Sequence, residues 1–256
     1  MEYIKSDNAV KLNYETLLKS EEIVDAVKQT NTAIKYLDEN TKKFSINVFE
    51  TLGLRNLSGF VGEVFVSMIE KVSKGNLVKN PNQDGYPDLL LNNSSQLKQY
   101  FESMYETTKD KKYFKGKSFF SPYKFGGIEV KATVGSTPPT GKVRKPIIGE
   151  QRIDVLTKFD WKAHHTETNN LLAILWDFIN EVPHIVAVFY RNDLTEDDWG
   201  NIVKPKAGGG RTTSVSIMNT QGIKKMCSGW IAVLDDSKYI NKLNNKKWIG
   251  YDVRRS

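Results

Sequence analysis

The clearest hydrophobic pattern in the chain is a helical one that begins near residue 57. Apolar residues recur at spacings of three and four, at Leu57, Phe60, Val61, Val64, Phe65, Met68 and Ile69. This is the pattern of a helix that turns one stripe toward a core, so it predicts a helix over residues 57–74. We expect Ser58 or Asn56 to cap its start by accepting hydrogen bonds from the first backbone N–H groups.

Other patterns extend the predicted helices toward the N-terminus and place strands after them. Residues 15–37 and 41–52 are predicted helical, which gives a helical part over about residues 1–75. Residues 171–179 and 184–190 are apolar and rich in β-forming residues. Because Pro183 interrupts them, they predict two strands joined by a turn at Pro183, with a helix over residues 171–179 as the alternative.

This order of elements indicates the fold class. Helices followed by strands of mixed pairing are typical of an α/β or α+β fold in which a central mixed β-sheet is flanked by helices. A chain of 256 residues can bury a substantial core in one unit. We expect a single domain over residues 1–256.

Composition indicates the kind of binding partner and the cellular compartment. The net charge of +7 and a pI near 9.2 favour polyanionic partners. A single cysteine, Cys227, excludes an internal disulfide and a cysteine-based zinc site, which suits a reducing cytoplasm. No apolar stretch of transmembrane length and no signal peptide is evident, so we expect a soluble intracellular protein with no membrane partner.

Candidate chemistry lies on two predicted strands. Asp88 precedes the apolar run 89–91, and Glu129 and Lys131 alternate with apolar residues in a second run. Because side chains alternate along a strand, Glu129 and Lys131 point to the same face. If the two strands pair, Asp88 reaches the same place. Two carboxylates and the backbone carbonyl of Val130 then provide oxygen ligands for Mg²⁺, for which Mn²⁺ is a substitute.

An alternative interpretation of these residues remains open. In it Asp88 caps a turn, and Glu129 pairs with Lys131 on a solvated strand. The histidines offer no different chemistry, because they lack the HxxxH or HExxH spacing of common metal sites.

Pro87-Asp88 together with Glu129-Val130-Lys131 resembles the PD-(D/E)xK nuclease superfamily, most of all its type II restriction endonucleases. The resemblance implies a restriction-endonuclease-like core, Mg²⁺-dependent cleavage of double-stranded DNA to 5′-phosphate products, and a homodimer in a prokaryotic cytoplasm. It assigns Asp88 and Glu129 to the metal and Lys131 to the attacking water.

A third acid lies on the predicted helix. Glu63 is off the apolar stripe, on a side bared by Gly59 and Gly62, where a phosphate has room to approach closely. In the resembled family a glutamate on this helix often supports the metal or the lysine, so Glu63 is a fourth candidate catalytic residue. A solvated surface glutamate is the alternative.

Between the two motif strands lies a segment of about residues 94–122 rich in lysine, tyrosine and phenylalanine. We interpret it as an inserted arm. Basic residues interleaved with aromatic ones suit contact with phosphates. A dimerisation element, or a solvated helix over residues 96–112, is equally compatible with the sequence.

Two later segments have the composition of DNA-contacting loops. The first is basic and rich in turn residues, and its candidate contacts are Lys142, Arg144 and Lys145. The second belongs to a C-terminal region of about residues 200–256, and its candidates are Lys204, Lys206, Arg211, Thr212, Thr213 and Ser214. Its glycines lack the lysine of a P-loop, so we expect no nucleotide cofactor.

Together with the basic charge, the resemblance implies a site-specific DNA endonuclease. Two alternatives remain: a structure-specific repair or recombination nuclease of the same superfamily, and a DNA-binding protein without catalysis.

Overall fold

The structure is a computed structural model that describes residues 1–12, 14–82, 85–108, 111–138, 141, 144–163, 169–204 and 214–250. Three short strands come first: β1 (Tyr3–Lys5), β2 (Val10–Leu12) and β3 (Glu15–Leu18). Then follow α1 (Ser20–Lys42), α2 (Val48–Val72), β4 (Leu77–Lys79), β5 (Leu89–Leu91), α3 (Ser95–Ser103), β6 (Tyr105–Thr108), β7 (Lys111–Phe114) and β8 (Gly127–Thr133). The last are β9 (Lys162–Ala163), β10 (Leu171–Ile179), β11 (Val182–Arg191), β12 (Ser216–Ile217), α4 (Thr220–Ser228), β13 (Trp230–Leu234) and α5 (Ser237–Asn245).

Within the described residues, seven strands form one central sheet in the order β1-β13-β11-β10-β8-β5-β4. Strands β8 and β10 run parallel, and the other neighbours are antiparallel. The fold is thus mixed α/β with a mixed central sheet, as the sequence predicts at this coarse level. One hydrophobic core contains buried residues from Tyr3 to Ile249.

The prediction that the chain opens with helices is wrong. Three strands precede α1, and β3 occupies the start of the stretch predicted as helix. Leu17 and Leu18 are buried there, and β3 pairs with β2 in a hairpin. Helix α1 starts only after Lys19, whose backbone N–H donates to the Glu22 carboxylate at 2.9 Å.

Helix α2 begins earlier than predicted. Asn47 is its cap, since its side chain accepts hydrogen bonds from the backbone N–H groups of Phe49 and Glu50. Gly53, at φ 68°, bends the helix, so residues 48–52 of the first predicted stretch join the second stretch in one kinked element. Residues 43–47, also predicted helical, instead connect α1 to α2. Neither Asn56 nor Ser58 caps α2. Ser58 instead accepts a hydrogen bond from Trp176 Nε1 at 3.1 Å.

By length and composition alone, α2 is the one helix in the described part of the chain that is long and apolar enough to cross a membrane. This corrects the expectation that no segment approaches such a length. Core helices of soluble proteins share this length and composition. Here α2 packs against α1 and β8, and it buries Val61, Phe65 and Ile69.

The two-strand interpretation of residues 171–190 is confirmed, but the position of the turn is wrong. Strands β10 and β11 pair antiparallel, and the turn is made by Asn180 and Glu181, both with positive φ. Pro183 lies inside β11, opposite Phe178.

The segment predicted as an arm folds into α3 and the β6–β7 hairpin. Helix α3 ends at Ser103, so the alternative of a helix over residues 96–112 is wrong. A small cluster of buried residues fastens the arm to β5: Leu90, Met104, Phe120 and Tyr123. The arm therefore packs against the strand that follows Asp88.

Candidate active site

Asp88 is held at the start of β5 by a braced turn. The Asn80 side-chain amide donates to the carbonyls of Pro87 at 2.9 Å and of Phe120 at 2.8 Å. The Tyr123 backbone N–H donates to the Tyr86 carbonyl at 3.0 Å. The arm thus fixes the turn from which the Asp88 side chain emerges.

Strand β8 brings the other two groups to the same place. It pairs with β5 on one side, where Leu89 lies opposite Ile128, and with β10 on the other, where Lys131 lies opposite Ala173. The predicted pairing of the two motif strands is therefore confirmed.

The three candidate side chains contact one another. The Val130 backbone N–H donates to Asp88 Oδ2 at 2.7 Å, and the Asp88 backbone N–H donates to Glu129 Oε2 at 3.3 Å. The Lys131 ammonium forms an ion pair with Glu129 Oε1 and lies 3.6 Å from Asp88 Oδ2. Glu129 and Lys131 do lie on one face, as predicted.

Burial decides the electrostatics of this cluster. Glu129 is 7% exposed, so the alternative of a solvated strand does not describe its position, although its pairing with Lys131 is as that alternative expects. The pKa of Glu129 is raised to about 7, chiefly by burial. The Lys131 ammonium lowers this pKa, and the Asp88 carboxylate raises it further. Burial alone would lower the pKa of Lys131, but Glu129 and Asp88 raise it above its ordinary value. The lysine is therefore held charged.

The donor set suits a hard divalent cation. The Glu129 backbone N–H points to β10, where it donates to the Asn170 carbonyl at 3.0 Å. Backbone groups of successive strand residues point to alternate neighbours, so the Val130 carbonyl points toward Asp88, as its N–H does. Two carboxylates and one carbonyl are ligands of the kind that Mg²⁺ takes. A cation at Glu129 Oε1 would replace the Lys131 contact.

Glu63 does not complete a three-acid site in this arrangement. No group of three or more histidine, cysteine or acidic side chains in the described ranges is positioned to hold a metal. The Glu63 carboxylate instead pairs with Lys79 Nζ at 2.6 Å.

A cavity of about 360 Å³ opens beside the cluster. One wall is α2, through Arg55, Ser58, Gly59, Gly62, Glu63 and Val66, and the facing wall includes Asp88, Lys131 and Lys162. Sequence reasoning missed Arg55 and Lys162. Arg55 lies one turn before Gly59 on the same helix, so the helical spacing places it on the same wall. Lys162 reaches the cavity only because of where β9 lies, which the sequence does not reveal.

A larger cavity of about 560 Å³ lies beside the β10–β11 turn, far from this chemistry. Its polar groups satisfy one another: the Asn31 amide donates to the Tyr3 hydroxyl at 2.9 Å, and His184 Nδ1 lies 2.9 Å from the Val182 carbonyl. We therefore place the candidate chemistry in the smaller cavity.

In the described part of the first predicted DNA-contacting segment, Arg144 lies away from the cavity. Arg144 pairs with Glu150 at 2.6 Å, and the neighbouring Gly149 lies against Glu181 in the β10–β11 turn. That turn starts at Asn180, seven residues beyond Ala173 along β10, or about 23 Å at the rise of a strand. Lys145 follows Arg144 in the same exposed stretch, and Lys142 lies outside the described residues.

The second segment starts and ends closer to the cavity. The strand β12 pairs with β9, where Ile217 lies opposite Lys162, and Val203 bridges to Val215. Lys204 and Ser214 extend from that bridge. The other candidates of this segment, Lys206, Arg211, Thr212 and Thr213, lie outside the described residues.

Comparison of the chain with protein-family models, with curated proteins and with solved structures gave no significant match.

Proposed function

We propose that the protein is a Mg²⁺-dependent endonuclease of the type II restriction class, which hydrolyses phosphodiester bonds of double-stranded DNA and leaves 5′-phosphates. One observation carries the proposal: Asp88, Glu129 and Lys131 converge, within contact distance, at the edge of an open cavity. The restriction-endonuclease-like core is part of the same proposal.

The residues have distinct roles in this proposal. Asp88, Glu129 and the Val130 carbonyl would hold the Mg²⁺ ion, with Mn²⁺ as a substitute. The bound ion would polarise the phosphate and lower the pKa of a water molecule. Lys131, released from Glu129, orients that water and stabilises the negative charge that develops on the phosphate.

Binding of DNA draws on the basic surface near the cavity. Lys162 lines the cavity, and Lys204 and Ser214 extend from strands next to it. The net charge of +7 adds attraction for a polyanion. Cutting both strands with one site per chain is most simply done by a two-fold homodimer, which we include in the proposal.

One observation also fits a different function. In the structure Lys131 already neutralises Glu129, and the third acid is paired with Lys79. A DNA-binding protein in which this cluster is only structural would look the same. It predicts DNA binding that survives EDTA and causes no strand breaks.

The test is to incubate the purified protein with unmethylated plasmid and phage DNA, with Mg²⁺ or with EDTA, and to separate the products on a gel. We expect discrete fragments with Mg²⁺ and none with EDTA. The variant Glu129→Gln, purified in parallel, controls for contaminating nucleases and should leave the DNA intact. A smear, or cutting of branched DNA only, would favour a structure-specific nuclease, and intact DNA with retained binding would favour the binding protein.

A further inference from the structure

Gly59 has no reason within the protein to be a glycine. It lies in the interior of α2, where glycine is the least favourable residue apart from proline. A Cβ added there would meet no protein atom within 4 Å, and its backbone φ is not in the left-handed region, unlike that of Gly53. An alanine would therefore fit the folded chain and stabilise the helix.

The space that Gly59 leaves open belongs to the candidate active site. Gly59 lines the cavity one turn after Arg55 and faces the wall that carries Asp88 and Lys131. Gly62, on the same wall, differs because a Cβ there would touch Ala132 Cβ at 3.7 Å. Gly62 thus lies over β8, whereas Gly59 faces open space.

Positive charge lies on both sides of this opening. Arg55 of α2 and Lys162 of β9 both line the cavity. Lys162 is exposed, and its strand is tied through β12 to the segment that carries Lys204. A phosphodiester chain that crosses the carboxylate pair would pass between these basic groups, close to the bare helix backbone.

We propose that Gly59 is the point where the sugar–phosphate backbone of the bound DNA strand passes against α2, and that Lys162 contacts a phosphate of the same strand. This inference deepens the proposed function and rests on it. A side chain at position 59 would occupy the volume that the DNA strand takes.

The experiment compares Gly59→Leu with Asn56→Leu, which adds the same side chain to an exposed position of α2 outside the cavity. Both changes improve helix propensity, and we expect Tm to rise by about 2–4 °C for Gly59→Leu and by about 1–2 °C for Asn56→Leu. Gly59→Leu should weaken binding of a fluorescein-labelled DNA duplex in EDTA by about tenfold or more and should abolish cleavage with Mg²⁺. Asn56→Leu should bind and cleave as the wild type does.

A second variant tests the phosphate contact. Lys162→Ala should reduce the slope of log K against log salt concentration by about 0.9, the amount for one lost phosphate contact. Lys246→Ala, at an exposed position at the end of α5, should leave the slope unchanged.

The outcomes separate this inference from the proposed function. If the wild type cleaves DNA and Gly59→Leu binds and cleaves equally well, the inference is wrong and the nuclease function stands. If the wild type binds without cleaving and Gly59→Leu weakens binding, the DNA path stands and the nuclease function is wrong. If the wild type neither binds nor cleaves, both are overturned.

Discussion

Two buried carboxylates lie on neighbouring parallel strands, and they are held in different ways. Asp177, on β10, is 3% exposed. Its oxygens accept four hydrogen bonds of 2.8 to 3.0 Å, from the backbone N–H groups of Arg152, Ile153 and Phe178 and from the Tyr239 hydroxyl. Glu129, on β8, accepts one backbone N–H at 3.3 Å and otherwise contacts the Lys131 ammonium.

The difference lies in what compensates the buried charge. Burial raises the pKa of both carboxyl groups. At Asp177 fixed backbone donors and a tyrosine hydroxyl compensate, and these cannot be exchanged without unfolding. At Glu129 a side-chain cation compensates, beside a second carboxylate and an open cavity. A cation can be exchanged for another cation, so Glu129 is the carboxylate suited to chemistry and Asp177 the one suited to stability.

Between these two regions, the largest effect is expected from removal of the Lys131 ammonium. Lys131→Ala should lower the cleavage rate by about 10² to 10⁴, or about 3–5 kcal/mol in barrier height, while DNA binding is retained. Single-turnover cleavage and duplex binding measure the two effects. The matched control is Lys225→Ala, because Lys225 pairs with buried Asp198 at 3.0 Å away from the cavity. An alanine variant at position 131 with wild-type rates would remove Lys131 from the mechanism.

Asp177→Asn should lower stability and leave cleavage unchanged. The amide NH₂ of asparagine replaces one acceptor oxygen and leaves about two donors without partners, which costs about 2–5 kcal/mol of stability. Denaturant unfolding measures the loss, and cleavage per folded molecule at low temperature should be unchanged. Lost cleavage at unchanged stability would place Asp177, rather than Glu129 alone, in the chemistry.

The comparison also explains what the sequence could predict. The alternation around Glu129 and Lys131 placed both on one face because strand geometry is local. The apolar stripe around Val61 and Phe65 likewise predicted a core-facing helix. In each case a period of two or of 3.6 residues is set by neighbours along the chain.

Features that depend on distant contacts were missed. The stretch from Glu15 became a strand because it pairs with β2, and Lys162 entered the cavity through the pairing of β9 with β12. Glu63 is paired with Lys79 because β4 follows α2 closely in space. No local pattern encodes these contacts, so neither the place of Lys162 in the cavity lining nor the pairing of Glu63 with Lys79 could be predicted.

The pH dependence of stability sharpens the comparison at Glu129. Its pKa in the folded protein is about 7, above the ordinary value of 4.5. The folded state therefore binds more protons than the unfolded state between these values, and stability falls as pH rises from 4.5 to 7. The loss amounts to at most about 3 kcal/mol. Lys131 stays charged throughout, because its pKa is raised.

Glu129→Gln should remove this part of the pH dependence. Denaturant unfolding of both proteins at pH 5 and pH 8 measures it. At pH 8, added Mg²⁺ should stabilise the wild type, by about 2.7 kcal/mol at one hundred times its Kd, and should stabilise the variant much less. Equal pH dependence in the two proteins would mean that Glu129 titrates normally.

The smallest expected effect concerns Glu63, the acid on the α2 wall. Its carboxylate is 47% exposed and its partner Lys79 is 37% exposed, so this ion pair contributes less than about 1 kcal/mol to stability. Because Lys79 holds the carboxylate, we expect Glu63→Gln and Lys79→Met to change both the unfolding free energy and the cleavage rate by similar small amounts, less than tenfold in rate. A much larger loss of cleavage in Glu63→Gln alone would mean that the carboxylate leaves Lys79 and acts at the Asp88 and Glu129 cluster.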